Sequence, residues 1–472
     1  MWVPLARPSR RSLIVVGVAL AAAVVVVAAL AGFQDHAGTL YGDFMDQLIR
    51  RAPLGILLLL TFPLLVAIAA RPPLGLLVTA LILPLDGLRV IVHVPPFAEG
   101  YKQYLTIYVL LWSILTVAGK PLPKQGLPRY VAPAALYLAI GLLSAIRVGG
   151  LEALVGLQTS YLYLVSVPLA LWLVPFNERE RDWLVSILML AGFGTAVYGL
   201  YQQVIGASGL LDMGYEYNRD IRTAGGFLRS FSTFRQSAAF GLFLMIVLLV
   251  CVPVALDQLP RLRSRVFLLT TPVLIVAMGY TFSRSAWIGL TVGAIYLAFH
   301  RYRVLLFFAP FALPLIILLP GTFEKAAFSK SSFEQRQSGW VSNLNHAAEP
   351  FGNGIGTTAA AAEKTLKVTA QKRYFYQPDN NYYKVLYELG VFGLFFFVMM
   401  LLACLAWTRE VEERVHGPDR SLVIGTQATV LAVIVSSFTI VFFEVIPNDW
   451  FFWLLMGTVA SCIRESSSTP SR

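Results

Sequence analysis

Arg284 stands between two apolar runs, in Thr281-Phe282-Ser283-Arg284-Ser285-Ala286-Trp287. A guanidinium at such a place either reaches for water as an interfacial anchor or pairs with an anion. A second basic segment, from Arg222 to Arg235, sets Arg222, Arg229 and Arg235 among glycine, serine and aromatic residues. Three guanidiniums so spaced suit a phosphate or diphosphate, because the planar fork matches two phosphate oxygens at once. The alternative is a loop neutralised by Asp212, Glu216 and Asp220, but these acids lie upstream and leave the downstream arginines without local partners. Next come Arg336 and Trp340, then Pro350-Phe351-Gly352-Asn353-Gly354-Ile355-Gly356, whose alternating glycines suit a sharp turn or close approach to a ligand. No lysine and hydroxyl pair follows them, which argues against a nucleotide loop. The last segment is Pro378-Asp379-Asn380-Asn381-Tyr382-Tyr383, followed by Glu388-Leu389-Gly390. Asp379 and Asn380 precede a helical pattern, which fits an N-cap as well as it fits catalysis. Glu388, nearly two turns further on, requires a basic partner.

The elements that must position these residues are membrane spans. Of 472 residues, 57% are hydrophobic and 13% charged, against roughly 25% charged in a soluble domain. The apolar residues fall in long blocks without alternation, and about 20 such residues cross the hydrocarbon layer as a helix. The pattern predicts an all-α polytopic membrane protein of about fourteen transmembrane helices. Its large extracytoplasmic loop, residues 320–380, separates the eleventh helix from the twelfth. The run Leu13 to Ala31 is longer than a signal-peptide core and reads as an uncleaved first span. Further spans are expected near Pro53 to Ala70, Val304 to Leu319 and Leu422 to Phe443, among others. The apolar stretch from Val266 to Phe299 is too long for one untilted span and is split at Ser283-Arg284-Ser285.

Lysines and arginines concentrate in the loops assigned to the cytoplasm, which places both termini there. The net charge of +11 is scattered over loops, a distribution that excludes a nucleic-acid stripe. Cys251, Cys404 and Cys462 each sit in a different apolar block, with no disulfide or zinc spacing. The expected organisation is N-terminal membrane helices over 1–205, a core over 206–407, and C-terminal helices with a short tail over 408–472.

Four pieces in order resemble the O-antigen ligase and O-antigen polymerase superfamily, membrane enzymes that handle glycans carried on polyprenyl diphosphate. They are Arg229-x-Phe231-x-Thr233-Phe234, the Arg284 turn, Arg336 and Trp340 leading to the Gly352–Gly356 loop, and Asp379 to Gly393. The resemblance covers roughly residues 206–393. It implies a glycosyltransferase in which Arg229 and Arg284 stabilise the departing diphosphate and Asp379 serves the acceptor hydroxyl. Arg222, Arg235, Arg336, Asn380, Tyr383 and Glu388 are then implied as substrate-binding residues. The implied partners are a polyprenyl-diphosphate-linked glycan donor and a glycan or lipid-linked acceptor, with a flippase and a chain-length regulator as possible companions. The implied location is the bacterial inner membrane.

Two departures from the family pattern matter. Arg235-Gln236-Ser237 stands where the family often has His-Pro-Asn or Asn-Pro-Asn, which leaves the diphosphate-binding register between Arg222 and Arg229, with Arg229 favoured. Asp379-Asn380 replaces the His-Asn pair of lipid A core ligases, a form associated more with polysaccharide polymerases. The matched segments hold no clustered histidines and carboxylates, so no metal is expected, and no other cofactor. The rival reading is a transporter or flippase that merely binds a lipid-linked or anionic substrate. Such folds favour charge at the midplane and repeated halves, whereas these charges sit at the rim.

Overall fold

A computed structural model describes residues 61–92, 100–121, 126–217, 220–224, 226–308, 350–369 and 378–466. The expected spans at Leu13–Ala31 and Val304–Leu319, most of the large loop, Arg336 and Trp340 lie wholly or largely outside the described residues.

The described chain is almost entirely helical. In order it forms α1 (Thr61–Ala70), α2 (Pro73–Ile82), α3 (Tyr101–Val117), α4 (Val131–Val148), α5 (Gly150–Leu173) and α6 (Glu178–Asp212). A hairpin of two short strands, β1 (Thr223–Ala224) and β2 (Phe227–Leu228), precedes α7 (Ser237–Asp257), α8 (Leu262–Gly279) and α9 (Arg284–His300). Then follow α10 (Ala359–Thr369), α11 (Asn381–Arg414), α12 (Pro418–Ser436) and α13 (Asn448–Ser466). Among the described residues, α4, α5, α6, α7, α8, α11 and α12 are long and apolar enough to cross a membrane, and α1 and α2 are shorter apolar helices.

The centre of the bundle is α7, an apolar helix buried on all sides, as its sequence requires. It packs against α8, α9 and α12. A second layer pairs α5 with α3 and α13, and α4 with α11. Many large apolar side chains, Leu143, Ile146, Val204 and Leu269 among them, remain on the outside, as expected where the surroundings are hydrocarbon.

One expectation is met and two details depart from the sequence pattern. The Val266–Phe299 run does break into α8 and α9, and the turn between them contains Phe282 at φ 51°. The expected span to Phe443 stops earlier. Helix α12 ends at Ser436 and a loop of residues 437–447, with one 3-10 turn at Phe442–Glu444, returns the chain to α13. Helix α11 is also not continuous, because Gly390 adopts φ 68° and separates residues 381–389 from the long span behind it. Only glycine takes that conformation without steric cost.

Candidate functional site

Helices α7, α9, α11 and α13 start, and α6, α8 and α12 finish, at one end of the bundle, where most of the chemistry-bearing segments meet. The loop before α7 is held from beneath by Gln202 of α6. The Oε1 atom of this buried amide accepts from the N–H groups of Phe231 (3.2 Å) and Ser232 (2.8 Å), and its Nε2 donates to the Ser232 carbonyl at 3.0 Å. That double contact keeps Ser232 at φ 53°, a left-handed conformation that costs energy in a residue with a Cβ. Fully buried Ser232 and nearly buried Phe282 thus place two strained residues on the two arginine segments.

The segments touch. The Ser230 N–H donates to the Tyr280 carbonyl at 2.8 Å, and the Arg229 Nε donates to the Thr281 carbonyl at 3.3 Å. Phe227 stacks on Phe282 with ring centroids 6.3 Å apart. Half-buried Arg229 is therefore fixed to the turn that delivers half-buried Arg284 as the first residue of α9. A cation there faces the positive end of the helix dipole, the opposite of the usual preference. Arg222 lies on the exposed hairpin, its carbonyl accepting from the Arg229 N–H at 2.8 Å. Of the two registers, Arg229 is the one attached to the Arg284 turn.

Arg235 has no local acid, as expected, but finds a distant one. It lies 3.7 Å from Asp86, which also takes Lys102 at 3.0 Å. The acid is supplied by a distant N-terminal segment, and the same segment clamps the arginine loop through Gly87 N–H to Thr233 carbonyl (2.7 Å) and Thr233 Oγ1 to Pro84 carbonyl (2.6 Å).

Glu388 has its basic partner, one turn back on the same helix. Lys384 Nζ lies 3.0 Å from Glu388 Oε2 and 2.8 Å from Glu444 Oε1, and donates to Ser160 Oγ at 3.2 Å. All three charged groups are buried. The remaining oxygens are satisfied by the start of α10. Thr358 donates to Glu388 Oε1 through its hydroxyl (2.7 Å) and its N–H (3.2 Å), and the Ala360 N–H donates to Glu444 Oε2 at 2.9 Å.

The glycine loop explains how α10 arrives there. The break at Gly390 frees two carbonyls, which accept from the loop: Asn353 N–H to Tyr387 at 2.7 Å and Gly354 N–H to Glu388 at 3.0 Å. A Cβ on Gly352 would lie 2.6 Å from the backbone of Glu388, and one on Gly356 2.2 Å from the Glu152 carbonyl. The close approach that these glycines permit is thus to the protein's own backbone, at α5 and at the break in α11.

The start of α11 resolves the capping question. Asn380 Oδ1 accepts from the N–H groups of Tyr382 (2.8 Å) and Tyr383 (3.3 Å), so Asn380 is the N-cap and Asp379 is exposed one residue outside it. Half-buried Tyr383 occupies the first turn. The loop 437–447 joins this region to the arginine turn. Asn381 donates its N–H to the Ser437 carbonyl (2.9 Å) and accepts from the Phe443 N–H (3.2 Å), while Thr439 Oγ1 donates to Ser285 Oγ at 2.8 Å.

The fold is thus of the many-helix membrane class, with two guanidinium segments fixed together at one rim. Residues 267–398 match the family described as O-Antigen ligase, which supports a relation to the O-antigen ligase and polymerase superfamily. The match takes in the Arg284 turn, the glycine loop and Asp379 to Gly393, whereas Arg222, Arg229 and Arg235 lie before it. Comparison with curated proteins finds no match. The chain is a multi-pass membrane protein with a glycosyltransferase-like activity of the O-antigen ligase or polymerase type.

Sequence reasoning missed Lys384, Glu444, Asp86, Lys102, Gln202 and Thr358. Only Lys384 carried a readable signal, its spacing of four residues from Glu388 on one helix face.

Proposed function

We propose that this chain transfers or polymerises a glycan carried on polyprenyl diphosphate, in the outer leaflet, with Arg229 and Arg284 holding the diphosphate. The observation that carries the reading is the Arg229 to Thr281 hydrogen bond, which ties two arginine segments from different parts of the chain into one rim site. In the reaction an acceptor hydroxyl attacks the anomeric carbon, the bond to the diphosphate oxygen breaks, and the polyprenyl diphosphate leaves with the electron pair. Negative charge grows on the leaving group, where fixed guanidiniums lower the barrier. Exposed Asp379, next to the α11 cap, takes the hydroxyl proton. The diphosphate supplies the driving force, so no nucleotide is consumed.

The test is deletion of the gene followed by size analysis of lipid-linked and surface glycans. A polymerase deletion leaves single repeat units, and a ligase deletion leaves long chains still on their lipid carrier. Unchanged glycan length and attachment would overturn the assignment. Outer-leaflet chemistry is tested separately: Arg229→Cys must react with a membrane-impermeant thiol reagent in intact cells.

A further inference from the structure

At the end of the bundle opposite the arginine turn, the N-termini of α6, α8 and α12 converge on a cavity of about 700 Å³. Four arginines line it, Arg179, Arg181, Arg261 and Arg263, against the three carboxylates of Glu178, Asp182 and Asp419. The pairing is uneven. Arg181, almost fully buried, is satisfied by Asp419 through two bonds of 2.9 and 2.7 Å and by the Phe176 carbonyl at 3.0 Å. Arg261 and Arg263, however, share the single carboxylate oxygen Oδ1 of Asp182, and Arg263 also donates to Ser186 Oγ (2.6 Å), the Asp182 carbonyl (2.9 Å) and Gln258 Oε1 (2.9 Å). The Nε of Arg263 is buried with no hydrogen-bond partner among the described residues. Arg179 lies over the Trp183 ring, 4.8 Å from its centroid.

The helix ends add to this excess. The N-cap of α8 is Arg261 itself and that of α12 is Gly417, neither with a capping side-chain hydrogen bond. Helix N-termini carry partial positive charge and prefer anions. Two of three thus present uncapped positive ends to a cavity already rich in guanidinium. Ion pairs that only fasten α6 to α12 and α8 explain Arg181 with Asp419, and Arg261 and Arg263 with Asp182. They do not explain an open volume within the ordinary range of ligand sites, roughly 300 to 1,000 Å³.

We propose that this cavity binds a phosphate-bearing anion, held by Arg261, Arg263 and Arg179. Its place at the ends of membrane helices favours the phosphodiester of an anionic lipid headgroup, the ligand typical of basic pockets between helices at a membrane surface. This is distinct from the rim site, which lies at the other end of the same helices.

The full chain, purified in detergent, is titrated with dioleoyl phosphatidylglycerol, dioleoyl phosphatidylcholine and inorganic phosphate, with bound adducts counted by native mass spectrometry and thermal midpoints recorded. The expected result is saturable phosphatidylglycerol binding that raises the midpoint and weakens at least roughly tenfold in Arg261→Gln/Arg263→Gln, since a bond to a charged group contributes about 1.5–3 kcal/mol. Arg179→Gln, at an exposed position and so compatible with folding, gives a smaller loss in the same direction. Saturable binding of inorganic phosphate that competes with the lipid supports the same anion site and identifies a soluble source. Phosphatidylcholine binding equal to phosphatidylglycerol, or affinity unchanged in both variants, would overturn the proposal.

Discussion

Two charged regions meet at the same end of the bundle and are built on opposite principles. Around Lys384 every charge is buried and answered: one ammonium between two carboxylates, whose other oxygens take N–H and O–H donors from the start of α10. Around Arg229 and Arg284 the side chains are half-buried, the backbone on both segments is strained, and a cation stands at the positive end of a helix. A buried, fully paired cluster fastens loops together, and α10, α11 and the loop 437–447 are what it fastens. The arginine pair is instead strained and half-open, and it is this contrast that underlies the proposal of substrate binding there. The loop 437–447 links the two regions through Thr439 and Asn381, so damage to the fastening also disturbs the rim.

The contrast breaks most visibly at Lys384. Lys384→Met leaves Glu388 and Glu444 buried without their cation, and removing one partner of a buried pair costs about 3–5 kcal/mol. Reduced accumulation and a lowered thermal midpoint are expected, partly restored by adding Glu388→Gln. Wild-type stability in Lys384→Met would mean that the cluster fastens nothing. On the other side of the comparison, Arg284→Ala is expected to fold normally and to lose transfer by roughly 100- to 1,000-fold, the usual effect of removing one fixed donor to developing charge. Arg284→Lys should be nearly as impaired, because it keeps charge but loses the planar fork. Full glycan synthesis by the lysine variant would return Arg284 to the role of interfacial anchor.

What the sequence made legible follows from range. Apolar blocks are local, so α5 and α7 appear in the sequence almost as they appear in the fold. The break between α8 and α9 was legible because the combined run is too long for one span. The break at Gly390 was not, since a glycine within a helical pattern looks the same whether it continues or kinks, and the donors that stabilise the kink come from Asn353 and Gly354. The glycine loop reads equally as a sharp turn or a close approach to a ligand for the same reason: the backbone it approaches, at Glu152 and Glu388, is remote in sequence. Arg229 and Arg284 were found by residue type. The groups that brace their surroundings, Gln202 under Ser232, Asp86 beside Arg235 and Glu444 beside Lys384, come from helices and loops that carry no motif of their own, because a single buried amide or carboxylate acquires its meaning only from the group it meets.

Asp379 offers a sharper test now that its neighbour is seen to cap α11. Asp379→Asn leaves the cap untouched, so stability should not change. Transfer should fall by roughly 100-fold if the carboxylate takes the acceptor proton. The measurement is turnover of a lipid-linked glycan by purified protein at equal amounts of folded enzyme, and near-normal turnover would remove Asp379 from the reaction.

The smallest effect is expected at Asn380, and it decides which region this residue belongs to. Its Oδ1 accepts from two backbone N–H groups, Tyr382 and Tyr383, at the start of α11. Alanine cannot accept, and losing such a cap costs about 0.5–2 kcal/mol, whereas aspartate caps about as well as asparagine. Aspartate also suits the positive end of the helix. Asn380→Ala should therefore lower the thermal midpoint modestly, with turnover per folded molecule preserved, and Asn380→Asp should match the wild type in both. The amide Nδ2 is what aspartate removes. If Asn380→Asp keeps its stability but loses turnover, that nitrogen is donating to the substrate, and Asn380 moves from the fastening of α11 to the rim with the arginines.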